Sequence, residues 1–180
     1  PHKYYKDYYS YTEYKANPGP GMWDTWRLVW HFKNDPDATV SVSESQHESA
    51  VETVINKVKH TLTTTFGQDV SSLTLVCVCA SSSYKNNLRY KEFSTRLCKE
   101  LNMYNGFNYI TVTKDAPPKH IHKDRINGPV KSYDESFFRG KFIVIFDDVT
   151  TSGHSLMKEK DKLESIGGNV ICSITIGKTK

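Results

Sequence analysis

Long apolar runs are missing from this chain of 180 residues; the longest extends only from Leu75 to Ala80. A membrane-spanning helix needs about 20 such residues, so a helical membrane protein is excluded. Cysteine is scarce: Cys77, Cys79, Cys98 and Cys172 form no C-x-x-C pair, and each follows an apolar residue. Free buried thiols in a reducing compartment fit this usage better than a disulfide framework or a zinc site. Charge of one sign is also in short supply, since 24 Lys and Arg against 20 Asp and Glu leave a net +4. That is too little for a protein that coats nucleic acid, and it suits a small phosphorylated ligand. No charged-then-apolar leader follows Pro1, so the expected location is the cytoplasm, with no membrane partner. Collagen-like and internally repeated patterns are absent as well.

What is present is enough for one core. Apolar residues make up 37% of the chain and charged residues 24%, and 20.6 kDa argues for a single domain. Six of the 11 tyrosines (Tyr4, Tyr5, Tyr8, Tyr9, Tyr11 and Tyr14) precede the turn cluster Asn17-Pro18-Gly19-Pro20-Gly21, which no helix or strand crosses. Tyr4, Tyr8 and Tyr11 have helical spacing. Residues 1–22 therefore read as a separate segment, and 1–45 as an N-terminal, Tyr-rich hood on a core of 46–180. These aromatics suit a homodimer face or packing back onto the body equally well.

Trp26 to Lys33 is rich in β formers and reads as a strand. Ser45-Gln46-His47-Glu48 has capping-box spacing, and Val51, Val54, Ile55, Val58 and Leu62 behind it mark an amphipathic helix. Leu73 to Cys79 reads as a strand buried on both faces. Ser81-Ser82-Ser83 breaks it, and a helix follows from about Leu88 to Leu101. Phe107 to Val112 reads as a second strand, residues 113–139 as a long polar loop, and Phe142 to Phe146 as a third strand. A helix striped with Leu156, Met157, Leu163 and Ile166 ends at Gly167-Gly168, and Val170 to Ile176 closes the chain. Apolar strands alternating with amphipathic helices predict an α/β fold, a parallel β-sheet flanked by helices.

Ligands of such sheets sit beyond the carboxyl ends of the strands. After Phe146 come Asp147-Asp148-Val149-Thr150-Thr151-Ser152-Gly153-His154-Ser155 and then a helix. Unpaired amides and the positive dipole end of a helix N-terminus bind anions. Gly153 removes a Cβ from their path, and Thr151, Ser152 and Ser155 add hydroxyl donors. Two carboxylates at the strand end are acceptors suited to vicinal sugar hydroxyls, and their charge favours a cationic sugar transition state. Asp147 and Asp148 as a plain strand end, with one hydroxyl capping the helix, is the structural alternative. It leaves the second acid and the remaining small residues unexplained.

The stretch Ile143 to Ser155 resembles the phosphoribosyl-diphosphate (PRPP) signature of type I phosphoribosyltransferases, with Thr150 departing where that superfamily usually has an aliphatic residue. Within it the chain most resembles the ComF-like branch: Leu75 to Ala80 with Arg89-Tyr90-Lys91-Glu92-Phe93-Ser94 is similar to its first core strand and Arg-bearing helix start. Lys123-Asp124-Arg125-Ile126-Asn127 is similar to its stretch before the signature. The match covers roughly residues 70–180. The resemblance implies a Rossmann-like sheet and a Mg2+-dependent exchange in which a nitrogen acceptor, such as a nucleobase, displaces diphosphate from C1 of PRPP. It places Asp147 and Asp148 on the ribose hydroxyls and Thr151, Ser152, Gly153, His154 and Ser155 on the 5′-phosphate. Ser81, Ser82, Ser83 and Arg89 fall to the diphosphate, with magnesium held mainly through PRPP and water. The loop containing Lys114, Lys119, His120, His122, Lys123 and Arg125 would close over the site, with Lys119 or Arg125 neutralising the leaving diphosphate. A non-catalytic PRPP or nucleotide sensor is the alternative reading. A nucleic-acid-binding module built on the basic loop and the tyrosines is a third, against which the modest net charge counts.

Overall fold

The computed structural model describes residues 1–8, 22–117 and 128–179. Its centre is a five-stranded sheet in which every neighbouring pair is parallel. In chain order its strands are β1 (His2–Tyr8), β2 (Leu73–Cys77), β3 (Tyr104–Asn105), β6 (Phe142–Thr150) and β7 (Asn169–Thr179). They lie side by side as β1-β7-β6-β2-β3. Strands β4 (Ile110–Lys114) and β5 (Val130–Tyr133) form a separate antiparallel ribbon. This is the α/β architecture that the alternation of strands and helices predicts.

Burial on both faces explains the nearly continuous apolar strands. Leu75, Cys77, Val144 and Phe146 point into a core shared with helices α1 (Met22–Lys33), α2 (Glu44–Phe66) and α4 (Glu92–Leu101). Val76, Ile143 and Ile145 face the other way, onto Leu156 and Leu163 of α6 (His154–Ser165) and onto Phe138 of the short α5 (Glu135–Phe138). Val51, Val54, Ile55, Val58 and Leu62 are all buried along α2, as their spacing predicts.

Several local expectations are corrected. Trp26 to Lys33 is helix, not strand: Thr25, Val29 and Phe32, at helical spacing, are buried on one face of α1. That 3.6-residue period overrides the β-forming composition. The capping box of α2 belongs to Ser43 and Gln46 rather than to Ser45 and Glu48. Ser43 Oγ accepts from the Gln46 amide, and Gln46 Oε1 accepts from the Ser43 amide. The N-terminal segment begins with β1, paired from His2↔Ser173 to Tyr8↔Thr179, so Tyr4 and Tyr8 are strand residues; Tyr11 lies outside the described residues. Both β1 and α1 thus join the sheet and core formed by the residues after 45. Phe107–Tyr109 is a 3-10 turn, and the residues after it enter the ribbon rather than the main sheet. The strand expected to stop at Phe146 continues to Thr150, because β7 offers partners from Asp147↔Thr175 to Thr150↔Lys178.

Candidate functional site

The chain leaves β2 in two directions, outward to β3 and, later, back past β6 to β7. The carboxyl ends of β2 and β6 therefore flank the point where strand order reverses, the place at which open α/β sheets leave a crevice. Ser81 to Ser83 follow β2, and Asp147 and Asp148 lie in the last turn of pleat of β6.

The two acids have different surroundings. Asp148 is buried, and each of its oxygens meets a cation: Arg89 Nη1 lies 2.7 Å from Oδ2 and Lys33 Nζ 3.4 Å from Oδ1. Asp147 Oδ1 accepts from the Tyr90 hydroxyl at 3.2 Å and from the Asp148 amide at 2.9 Å. Burial, followed by the charge of Asp148, pushes the Asp147 carboxyl up to about 8. Tyr90 is itself fully buried, and burial together with both acids drives its phenol well above the usual range. Arg89 and Tyr90 are consecutive, and both reach the acids from a π-helical turn, Asn87–Lys91, between α3 (Ser83–Asn86) and α4. Such widened turns break the helical phase and are frequent at functional sites.

The turn from Thr151 to Ser155 is largely exposed, with Gly153 at its centre. Gly153 has φ +78°, a left-handed conformation that disfavours any side chain, although a Cβ there would meet only Thr150 Oγ1 at 4.0 Å. The glycine is therefore required by the backbone path. It occupies the N-cap position of α6 without supplying a side-chain cap, and the first turn is closed by the Met157 amide on the Gly153 carbonyl at 2.9 Å. Ser152 Oγ lies 3.4 Å from His154 Nδ1.

The serine turn after β2 is already engaged. Ser82 Oγ accepts from the Lys85 amide at 3.2 Å, capping α3, and the Ser83 amide donates to Asp115 Oδ1 at 3.1 Å. Arg89 is brought to Asp148 rather than to these serines. Lys85 ties the region to the loop after α1 through Asp35 and Asp37, at 2.8 and 2.6 Å. Lys114 closes β4 and is exposed; Lys119, His120, His122, Lys123 and Arg125 lie outside the described residues.

Two of the three side chains that contact the acids, Lys33 and Tyr90, carry no signal in the sequence as site residues. A second unexpected cluster joins α6 to the ribbon. The side chain of Glu159 is fully buried, ion-paired with Lys131 and hydrogen-bonded by the Tyr133 hydroxyl at 2.9 Å. Its signal was legible, because Glu159 falls on the same helical stripe as Leu156 and Leu163. A separate cleft of about 390 Å³ between α1 and α2, lined by Asp24, Arg27, His31, Gln46, Ser49 and Thr53 among others, includes none of the acids or turn residues.

Among the described residues no group of three or more His, Cys, Asp or Glu is placed to hold a metal ion. Asp148, already facing two cations, is a poor ligand for a third positive charge. The described residues thus do not form a magnesium site of their own. The cysteines are free; burial pushes the thiols of Cys79 and Cys98 up to about 11 and about 12, so they stay protonated at neutral pH. No helix among the described residues is long and apolar enough to cross a membrane.

No protein-family model matches the chain, and none of the curated proteins does. Among solved structures it is similar to an orotate phosphoribosyltransferase from Aeropyrum pernix, at 19% identity and a TM-score of 0.41 over 77% of this chain. It spans 66% of the length of that protein. A purine phosphoribosyltransferase from Pyrococcus horikoshii Ot3 is similar at 15% identity and a TM-score of 0.40, over 71% of this chain and 82% of the other.

Proposed function

We propose that the chain is a phosphoribosyltransferase of the ComF-like branch, binding PRPP with magnesium and passing the phosphoribosyl group to a nitrogen acceptor such as a nucleobase. The observation that carries this reading is the continuity of one stretch: β6 delivers two carboxylates and runs, through a left-handed glycine, into a helix start with no side-chain cap. One contiguous segment thereby offers acceptors for a diol and amide donors for a phosphate. Asp147 and Asp148 would hold the ribose hydroxyls, and Thr151 to Ser155 the 5′-phosphate. The Ser83 amide already binds one anionic group, the Asp115 carboxylate. A diphosphate at the serine turn would exchange with it.

In the transfer the acceptor nitrogen forms a bond to C1 as the C1–O bond to diphosphate breaks. The electron pair leaves on the diphosphate oxygen, and the nitrogen's proton passes to solvent. None of the described residues would hold magnesium, and the chemistry it would supply is screening of the diphosphate charge. Negative charge from Asp148 beside the sugar would stabilise the cationic character at C1; Lys119 or Arg125 would neutralise the departing group.

Calorimetry with PRPP and magnesium, followed by a screen of nucleobases for diphosphate release, tests this reading. Binding is expected, and Asp147→Asn with Asp148→Asn is expected to abolish turnover while leaving the folded circular dichroism spectrum intact. No PRPP binding by the natural chain, or unchanged turnover in the double variant, refutes it. A stable PRPP complex that releases no diphosphate with any acceptor assigns a sensor instead. Salt-sensitive binding to nucleic acid without PRPP binding assigns the third reading.

A further inference from the structure

We infer that Lys33 is a mobile cation that occupies the diol-binding oxygen of Asp148 in the free chain and moves onto the diphosphate when substrate enters. This rests on the function proposed above and deepens it, because it brings the N-terminal helix α1 into the site.

The two cations on Asp148 are not alike. Arg89 keeps 12% of its side-chain surface exposed and sits 2.7 Å from Oδ2. Its guanidinium lies 5.7 Å from the Tyr90 ring centroid, and its Nε is buried with no hydrogen-bond partner. A guanidinium packed in this way is fixed. Lys33 is the last residue of α1, keeps 34% of its side-chain surface, and stands at the longer distance of 3.4 Å from Oδ1. An ammonium on a four-carbon stem is strongly hydrated and changes rotamer at little cost. Its anchor is nevertheless firm, since the preceding residue Phe32 is fully buried, with its ring centroid 5.8 Å from that of Phe146. The helix end is thus held beside β6 while the ammonium remains free to choose between partners.

Exchange follows from chemistry. A ribose hydroxyl donating to Asp148 Oδ1 replaces the interaction that Lys33 supplies there, and an incoming diphosphate offers the displaced ammonium a more highly charged partner. Arg89 stays on Oδ2, so the carboxylate remains paired and oriented throughout. Lys33 would therefore favour diphosphate and compete with the sugar diol. A residue that merely positioned Asp148 would favour both ligands.

The test separates these arms with inorganic diphosphate and ribose 5-phosphate as probes, each titrated into the full chain with magnesium present. Lys33→Met should weaken diphosphate at least tenfold and leave ribose 5-phosphate within twofold or bound more tightly. Lys33→Arg should recover most of the diphosphate affinity, and Lys59→Met, which removes a like charge paired with Glu100 on the surface, should change neither. Thermal melts of each variant check that the fold is kept. Unchanged diphosphate binding in Lys33→Met overturns the inference while the proposed function stands. So does an equal loss of both probes. Failure of the natural chain to bind either probe, or PRPP itself, removes the proposed function and this inference with it.

Discussion

Replacing Lys131 by methionine tests how the ribbon that carries the basic loop is held to the helix of the candidate phosphate cradle. The Glu159 side chain has no exposed surface, Lys131 keeps 20% of its own, and among the described residues the other hydrogen bond to Glu159 comes from Tyr133 at 2.9 Å. Methionine keeps the apolar stem and deletes the charge. Breaking a buried pair from one side costs about 3–5 kcal/mol. The expected loss is therefore about 3 kcal/mol. For a chain of this size that corresponds to a drop in Tm of roughly 6–12 °C. Urea denaturation followed by tryptophan fluorescence measures it. Adding Glu159→Gln should recover most of the loss, since no charge is then left unpaired. A loss below about 1 kcal/mol, or no recovery in the double variant, would refute the reasoning.

The raised Asp147 carboxyl makes a second prediction. The folded chain keeps a proton that the unfolded chain releases near pH 4, so this contribution is complete below pH 4 and is lost as the pH rises to about 8. Asp147→Asn should therefore gain stability relative to the natural chain between pH 5 and 8. A pH-independent difference in urea titrations contradicts the assignment. Gly153→Ala has space for its methyl but not the backbone conformation, at φ +78°. It should cost about 1–2 kcal/mol and weaken ribose 5-phosphate binding. Full affinity and full stability in that variant would show that the left-handed turn does not shape the cradle.

The sheet was legible because its strands carry their signal in composition. Leu73 to Cys77 and Phe142 to Phe146 are apolar on both faces, as only covered parallel strands are. The continuation of β6 through Asp147 to Thr150 was not legible, because it depends on pairing with β7 and not on side-chain preference. Trp26 to Lys33 misled for the opposite reason: its β-forming residues hide a helical stripe of Thr25, Val29 and Phe32. At the site, the acids and the turn were found through their local order in the chain. Lys33 and Tyr90 were not, since their contacts span more than 50 residues and leave no local pattern. The resemblance assigns Arg89 to the diphosphate, and its contact with Asp148 leaves no local pattern either. Its place beside Asp148 follows from the π turn, which no hydrophobic period announces.

Lys33 also bears on how the chain is divided. A Tyr-rich hood over a separate core from residue 46 onward treats the first 45 residues as an accessory. Yet Val29 and Phe32 are fully buried in the same core as Val144 and Phe146, and β1 extends the same sheet. A buried carboxylate is stable only with its charge compensated, and Asp148 draws one of its two cations from α1 and the other from the turn before α4. The acid pair is therefore held by a segment on each side of the supposed boundary. Compensation of the acid pair is thus a property of the whole fold, with α1 supplying one of its two cations.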